Sequence, residues 1–170
     1  YWNNEKKINV LTVARFTPRK GWFDLFKVAK IISNKFHFIA VGFGDLDMEE
    51  EIKKRKLENK ITVYRSLNSS QIKKLMEFSD IFFLPSKFNK KEGSEGIPVV
   101  LMEAMSMKMK IVSTEDGSIS ELVDQVIVKP GNINQMINAL NASSKGKKSK
   151  IGVHNRNKVM KLHNSKNIQE

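Results

Sequence analysis

Two kinds of segment alternate along the chain. Residues 8–14 form a short, β-branched apolar run typical of a buried strand, whereas residues 21–33 carry apolar side chains at helical spacing. By the same criteria, the sequence predicts further strands at 36–41, 61–64, 81–84, 110–114 and 126–128. It predicts further helices at 47–57, 71–78 (after an Asn68 cap), 97–107, 118–123, 132–140 and 154–164.

This alternation predicts an α/β fold, a Rossmann-like parallel sheet of about six strands with helices on both faces. Such sheets bind ligands beyond the carboxyl ends of their strands. We expect one domain over residues 1–142 and a basic, partly flexible linker with a C-terminal helix over residues 143–170. The terminal helix is mostly polar, and on this pattern it needs a partner outside the domain.

Charge is distributed unevenly. The 170 residues include 30 Lys and Arg against 18 Asp and Glu, a net charge of +12. Residues 141–170 hold 8 of these bases and 1 of these acids, so the tail carries +7 and the body +5. A basic tail is typical of a solvated segment, and contact with an anionic membrane or a nucleic acid is the more specific but less favoured alternative. Because the excess lies in the tail, we expect no nucleic-acid partner for the body.

Composition excludes several classes of protein. With no cysteine, the chain has no disulfide framework, thiol nucleophile or Cys-ligated metal site, and this agrees with a cytoplasmic setting. No apolar run approaches the roughly 20 residues that span a bilayer, and no signal peptide is evident. Since the first residue is Tyr1, we expect a fragment of a longer protein.

Two loops after predicted strands carry candidate ligand groups. The first loop places Arg15, Arg19 and Lys20 before a helix, where cations and a helix N-terminus favour phosphate. Taken alone, it is more typical of an ordinary basic loop, and it matches neither a Walker A nor a dinucleotide-binding motif. The second loop holds Gly42 and Gly44, which permit close backbone approach but are equally typical of a plain turn.

A third loop, leading into the predicted helix 97–107, is the most informative. Glu95 precedes this helix and Glu103 lies eight residues later within it, about 12 Å further along its axis. Two such carboxylates can accept hydrogen bonds from hydroxyls at opposite ends of an extended ligand. Apolar neighbours predict that Glu103 lies on a mostly buried helix and needs a partner, although a surface carboxylate is the alternative. Glu95 alone is also typical of a residue that stabilises a helix dipole.

The remaining polar residues give weaker evidence for a functional site. Asp45 and Asp47 have the spacing of a metal motif, but Asp47 is better placed to open a helix. We therefore expect no metal site. The three histidines, His37, His154 and His163, fall in a strand and in the tail, and none is expected to be catalytic.

The segment Glu95-Gly-Ile-Pro-Val-Val-Leu-Met-Glu103 resembles the E-x7-E motif of retaining glycosyltransferases of family 4, the glycosyl transferases group 1. Further pieces fall in the family's order over about residues 8–141, at 14–21, 79–86, 111–114, 117–123 and 129–131. Each piece alone is weak evidence for the resemblance, but together and in this order they are strong evidence for it. The resemblance implies the C-terminal, donor-binding half of a GT-B enzyme, with the acceptor held by an N-terminal domain outside this chain.

The resemblance also assigns roles to residues. It implies a catalytic group in which Arg15 and Lys20 hold the donor diphosphate and Glu95 contacts the donor sugar. It implies that Glu103 binds the ribose. The other donor-binding positions that it implies are the glycine turn near the diphosphate, the amides after the first glutamate, and the base contacts after the third strand: Gly42, Gly44, Gly96, Ile97, Val99, Tyr64 and Arg65.

The implied reaction moves a sugar from a nucleotide-diphosphate-sugar to an acceptor with retention of configuration, without a required cofactor or metal. Basic groups would stabilise the leaving diphosphate. The family implies synthesis of cell-surface polysaccharide or glycolipid, with peripheral contact at the inner face of the cytoplasmic membrane, and a fragment that is inactive alone. The alternative is a non-catalytic nucleotide-binding α/β interaction domain, which would lack a joint site of Arg15, Lys20, Glu95 and Glu103.

Overall fold

The computed structural model describes residues 7–87, 98–115, 119–123, 126–145 and 149–166. Within these ranges, six strands form one parallel sheet: β1 (Ile8–Val13), β2 (Phe36–Gly42), β3 (Ile61–Arg65), β4 (Ile81–Leu84), β5 (Lys110–Thr114) and β6 (Val126–Val128). The described helices are α1 (Trp22–Ile31), α2 (Met48–Arg55), α3 (Ser69–Phe78), α4 (Val99–Ser106), α5 (Ile119–Leu122), α6 (Ile133–Ser144) and α7 (Ser149–Lys166). The predicted fold class is confirmed.

The strand order is β3-β2-β1-β4-β5-β6. Strands β2 and β3 lie on one side of β1 and strands β4, β5 and β6 on the other, so the strand order changes direction between the neighbouring strands β1 and β4. The register at this junction pairs Val10 with Ile81 and Leu11 with Phe82. In open α/β sheets, the crevice outside the carboxyl ends of the strands at such a switch point is where ligands bind. The loops after β1 and β4 are therefore the first places to look for a site.

Two apolar layers cover the sheet because alternate strand residues point to opposite faces. One layer packs α1, α2 and α6 on the sheet through buried side chains such as Trp22, Phe26 and Met136. The other packs α3, α4 and α5 through side chains such as Met76, Leu101 and Leu122. Helices on both faces hold the strand ends, and so the loops beyond them, in fixed positions.

Helix boundaries follow local capping chemistry. The side chain of Asp47 accepts a hydrogen bond from the Glu50 amide and opens α2, as predicted. Asn68 and Gln71 form a reciprocal capping box at the start of α3. Pro98 lies just before α4 rather than in its first turn, so the helix begins at Val99, later than predicted.

The C-terminal helix packs on the domain itself. The Nδ2 of Asn155, buried to 1% exposure, donates a hydrogen bond of 3.0 Å to the carbonyl of Met109. Gly152 brings the helix so close that a Cβ there would lie 2.2 Å from the carbonyl oxygen of Lys108. Val159 also joins the apolar layer that contains α4. The prediction that this helix needs an outside partner is wrong, because backbone contacts and one buried amide replace a broad apolar face.

The boundary predicted at residue 142 falls inside a helix. Helix α6 continues to Ser144. Beyond it, the ammonium of Lys110 donates to the carbonyls of Ser143 (2.7 Å) and Lys145 (3.0 Å). Regular structure of the domain thus extends past the predicted boundary.

Candidate functional site

The loop after β1 carries the predicted phosphate-binding cations. Its backbone is fixed because the Nε1 of buried Trp22 donates a 2.8 Å hydrogen bond to the carbonyl of Arg15. The Arg15 side chain is exposed, and its guanidinium lies 6.0 Å from the centre of the Phe43 ring. A short 3-10 turn, Pro18–Lys20, then places Lys20 immediately before Gly21 and α1. Arg15 and Lys20 are therefore presented at the carboxyl end of the central strand.

The glycine turn after β2 packs against this first loop. A Cβ at Gly42 would lie 1.9 Å from the carbonyl oxygen of Ala14, and one at Gly44 would lie 2.5 Å from that of Phe16. The Phe16 amide donates a 2.7 Å hydrogen bond to the carbonyl of Phe43 between the two glycines. Close backbone approach is thus what the glycines provide, but their partner is the chain's own β1 loop. Their proximity to a diphosphate stays a prediction.

The loop after β4 joins the first loop from the other side. The Lys87 amide donates a 2.8 Å hydrogen bond to the carbonyl of Arg19. Its ammonium lies 2.9 Å from Oδ2 of Asp24, a carboxylate in the first turn of α1 that is 1% exposed. This is an ion pair without hydrogen-bond alignment, since Oδ2 has no hydrogen-bond partner among the described residues. Gly21 adds a third contact, because a Cβ there would lie 1.8 Å from the carbonyl oxygen of Pro85.

Helix α4 follows the β4 loop and packs on the other face of the sheet from α1. Val99 is its first residue, its side chain is 65% exposed, and no side chain among the described residues caps the helix. The first amides of a helix have no intrahelical acceptor, so this end can receive an anion or a sugar oxygen. A role for Val99 in binding the donor stays a prediction. Glu95, Gly96 and Ile97 lie outside the described residues.

Glu103 is exposed, so the prediction that its carboxylate needs a protein partner is wrong, and the alternative of a surface carboxylate on a partly buried helix is what the structure has. The apolar neighbours Leu101, Ala104 and Met105 are all buried, but Glu103 lies on the opposite stripe of the helix. Its side chain lines a cavity of about 320 Å³ between α3 and α4, which Lys73 also lines. An exposed carboxylate beside a cavity is available to a ligand without a protein partner.

The two residues predicted to contact a base point to opposite faces of the sheet. Tyr64 is 41% exposed and lines a groove of about 710 Å³ with His37 and Thr62. Arg65 binds both oxygens of Glu49, at 3.1 and 2.5 Å, and its guanidinium lies 5.3 Å from the centre of the Phe16 ring. Adjacent strand residues cannot both face one base from the same side. The pair is therefore not one binding surface.

His37 lies within the sheet rather than among the loops. Its Nε2 is 2.9 Å from the Thr62 hydroxyl. Burial, with a smaller contribution from the positive charge of Lys7, lowers the pKa of His37 below its ordinary value of 6.5. Its position near the start of β2 keeps it away from the β1 and β4 loops, although it lines the same groove as Tyr64.

A sequence model of the glycosyl transferases group 1 matches residues 2–158, nearly the whole chain. The chain belongs to the glycosyl transferases group 1 family. Relatives of this group 1 domain include the amylovoran biosynthesis glycosyltransferase AmsK of Erwinia amylovora, 33% identical over 69% of this chain and 30% of its own length. Another is the putative colanic acid biosynthesis glycosyltransferase WcaL of Salmonella typhimurium, 30% identical with the same coverage. The chain thus spans about a third of the length of these relatives.

Solved structures share the fold of this group 1 domain. Sucrose-phosphate synthase of Thermosynechococcus elongatus superposes with a TM-score of 0.80 at 20% identity, covering 93% of this chain and 42% of that one. Anabaena HepE, in complex with UDP and glucose, superposes with a TM-score of 0.79 at 20% identity, covering 92% of this chain and 44% of that one. The C-terminal domain of a Francisella tularensis group 1 protein, LpcC, gives 0.76 at 20% identity, covering 95% of this chain and 90% of that domain.

Sequence reasoning missed several residues that position the loops of the candidate site. Trp22 and Phe43 contact Arg15 directly, whereas Asp24 pairs with Lys87 of the β4 loop. A signal for Asp24 was present, since a carboxylate within the broad apolar face of α1 needs a partner. Within the described ranges, no group of three His, Asp or Glu residues is placed to hold a metal ion, and no helix is long and apolar enough to cross a membrane.

Proposed function

We propose that this chain is the donor-binding half of a retaining glycosyltransferase of family 4. It transfers a sugar from a nucleotide-diphosphate-sugar to an acceptor in the synthesis of cell-surface polysaccharide or glycolipid. The observation that carries the proposal is the meeting of the β1 and β4 loops at the switch point of the sheet. Arg15 and Lys20 lie on the first loop, and the second is followed by the start of α4, which no described side chain caps.

The proposed chemistry is electrostatic. As the sugar leaves, negative charge grows on the diphosphate, and in this proposal Arg15, Lys20 and the first amides of α4 stabilise it. Positive side chains supply the charge that a metal would otherwise bring, so we propose a reaction without a required metal or cofactor. In this proposal Glu95 binds the sugar, Glu103 binds the ribose, and Tyr64, rather than the ion-paired Arg65, is the better candidate to contact the base.

The comparisons support the donor and the product classes. HepE is described in complex with UDP and glucose, and AmsK is named for amylovoran biosynthesis. Because the chain spans about 30% of the length of AmsK, we propose that an N-terminal domain completes the cleft and that this chain alone is inactive. We also propose a cytoplasmic location, with peripheral contact at the inner face of the membrane.

Calorimetric titration with UDP, GDP, ADP and their sugars tests the proposal. Lys20→Ala and Glu103→Ala are expected to weaken binding of one of these nucleotides by about tenfold, the effect of about 1.4 kcal/mol. Lys27→Ala is the matched control, because Lys27 is an exposed lysine of α1 that lines none of the described cavities. Binding that survives both substitutions, or no binding at all, contradicts the site. Binding without transfer by the full two-domain protein would favour a non-catalytic nucleotide-binding domain.

A further inference from the structure

A second concave site lies at the opposite end of the sheet, where β1, β2 and β3 begin. It encloses about 630 Å³. The walls come from the residue before β1, the end of α1 and its turn, the end of α2, and the residues before β3: Lys7, Lys30, Asn34, Arg55, Lys56, Leu57, Asn59 and Lys60. We call it the basal cavity. Since β1 has six residues, it lies about 20 Å from the Arg15 loop.

The basal cavity is lined almost entirely by hydrogen-bond donors. Five of its eight lining residues are Lys or Arg, two are Asn, and the last is Leu57. Lysine and arginine side chains donate hydrogen bonds and accept none, whereas an Asn amide can turn its NH2 group toward an anion. No carboxylate is among the lining residues that the structure describes. A cavity of this composition favours a ligand with several anionic oxygens.

Two of the cations are fixed by contacts within the domain. The ammonium of Lys60 donates to the carbonyls of Ala29 (2.8 Å) and Ile32 (2.6 Å), which are the free carbonyls at the end of α1. The Arg55 guanidinium pairs with Glu51 and lies over the rings of Phe23 and Phe26. These contacts offset part of the positive charge of Lys60 and of Arg55. They also hold both side chains in place, so that the two residues form a rigid wall of the cavity.

The other three cations, Lys7, Lys30 and Lys56, are exposed at the rim of the cavity. Within the described part of the chain, none of the three forms an ion pair or donates a side-chain hydrogen bond. At the end of α1, the carbonyls of Ala29 and Ile32 are already bound by Lys60 rather than by these three lysines. Three positive charges therefore surround the opening, and no described residue supplies a counterion for them.

Lys56 occupies a position that its backbone does not favour. It is the C-cap of α2, with a φ of 57°, in the left-handed region where glycine is preferred. A non-glycine residue there costs about 1 kcal/mol or more. Its side chain nevertheless lines the cavity, and strain of this kind is a reason to look for a function.

We propose that the basal cavity binds a ligand carrying two or more phosphate groups, at a site separate from the donor site. Three unpaired ammonium groups match the charge of a di- or triphosphate, and the volume exceeds what one phosphate fills. The same chemistry is offered by a free oligophosphate and by phosphate headgroups on a lipid surface. The proposal goes beyond the proposed function and does not depend on it.

Residue-resolved NMR with inorganic triphosphate tests the proposal. An Arg15→Ala/Lys20→Ala background removes the other cationic loop, so that saturable shifts at the amides of Asn34, Lys56 and Asn59 report the basal cavity. Lys56→Gly and Lys30→Gln are each expected to weaken binding by about fivefold, and Lys74→Gln, an exposed lysine of α3 outside the cavity, to leave it unchanged. Lys56→Gly also relieves the positive φ, so it should fold at least as well as the parent.

A second arm separates the two sources of phosphate. Vesicles of phosphatidylglycerol that bind the chain and compete with triphosphate, while phosphatidylcholine vesicles do not bind, identify a lipid surface as the source. Triphosphate binding without vesicle binding identifies a free ligand. The proposal is overturned if neither probe gives saturable shifts at the three amides, if Lys74→Gln weakens binding as much as the cavity variants, or if only a DNA duplex binds.

Discussion

The ammonium of Lys87 lies 2.9 Å from the buried carboxylate of Asp24 and ties the start of the β4 loop to α1. Asp24 is 1% exposed, whereas 40% of the Lys87 side chain is exposed. Together with the hydrogen bond from the Lys87 amide to Arg19, this pair fixes the relative position of the two loops at the switch point. The geometry of the candidate site therefore depends on a residue outside its predicted ligand set.

Replacing Lys87 should show how strongly the fold around the candidate site depends on the pair of Lys87 and Asp24. Lys87→Met leaves a buried carboxylate without its countercharge, and we expect a loss of about 1–3 kcal/mol in the free energy of unfolding. Asp24→Asn in the same chain should recover part of this loss because it removes the charge. Urea denaturation of both single variants and the double variant measures the coupling energy, and strict additivity would contradict a direct interaction.

Two glycines with the same backbone conformation should differ sharply in their tolerance of a side chain. Gly21 and Gly131 have φ values of 75° and 77°. A Cβ at Gly21 would collide with the Pro85 carbonyl at 1.8 Å, whereas at Gly131 it would meet nothing within 4 Å. Gly131→Ala should cost about 1 kcal/mol from backbone strain alone, and Gly21→Ala about 3 kcal/mol or more. Equal losses of melting temperature would show that the β1–β4 loop contact is unimportant.

The lowered pKa of His37 predicts a pH dependence of stability. Its folded pKa lies below the ordinary 6.5, so protonation favours the unfolded chain. The stability that neutral His37 contributes is fully present above pH 6.5 and is lost as the pH falls from there toward the folded pKa. The melting temperature should fall between about pH 7.5 and about pH 5.5. His37→Gln should flatten that fall, and an unchanged slope in the variant would assign the effect to other groups.

The attachment of α7 should depend on one amide. Asn155→Ala removes the buried hydrogen bond to the Met109 carbonyl, and we expect a loss of about 1–2 kcal/mol with faster amide exchange in α7. Asn157→Ala is the matched control, because Asn157 is exposed two residues further along the same helix. If the two variants were indistinguishable, packing of Val159 and Gly152 alone would hold the helix.

Periodicity was sufficient to predict the fold but not every contact within it. The six strands lie where the sequence places them because short β-branched runs between helices leave few alternatives. The error at Glu103 and the omission of Asp24 have one cause: both carboxylates have apolar neighbours in sequence. Only the rotation of each helix decides that Glu103 faces outward while Asp24 faces Lys87. That rotation depends on tertiary packing.

The C-terminal helix shows a second limit. Its polar sequence gave no sign of docking, because a glycine and an asparagine make the attachment through backbone atoms of residues about 45 positions earlier. Likewise, the two glycines after β2 predicted close approach correctly but not its partner. Sequence alone does not say whether such a glycine faces a ligand or another loop.

The central place of β1 bears on how the chain acquires its structure. Strands β2 and β3 follow β1 closely, and β2 can pair with β1 and β3 with β2 as soon as residues 8–65 are present. The other edge of β1 waits for β4, whose Ile81 pairs with Val10 across 71 positions. Closing that long loop is slow compared with forming helices. We therefore expect β1 to have an open edge during synthesis until β4 arrives, so that the β1–β4 side of the candidate site forms after the β1–β3 half.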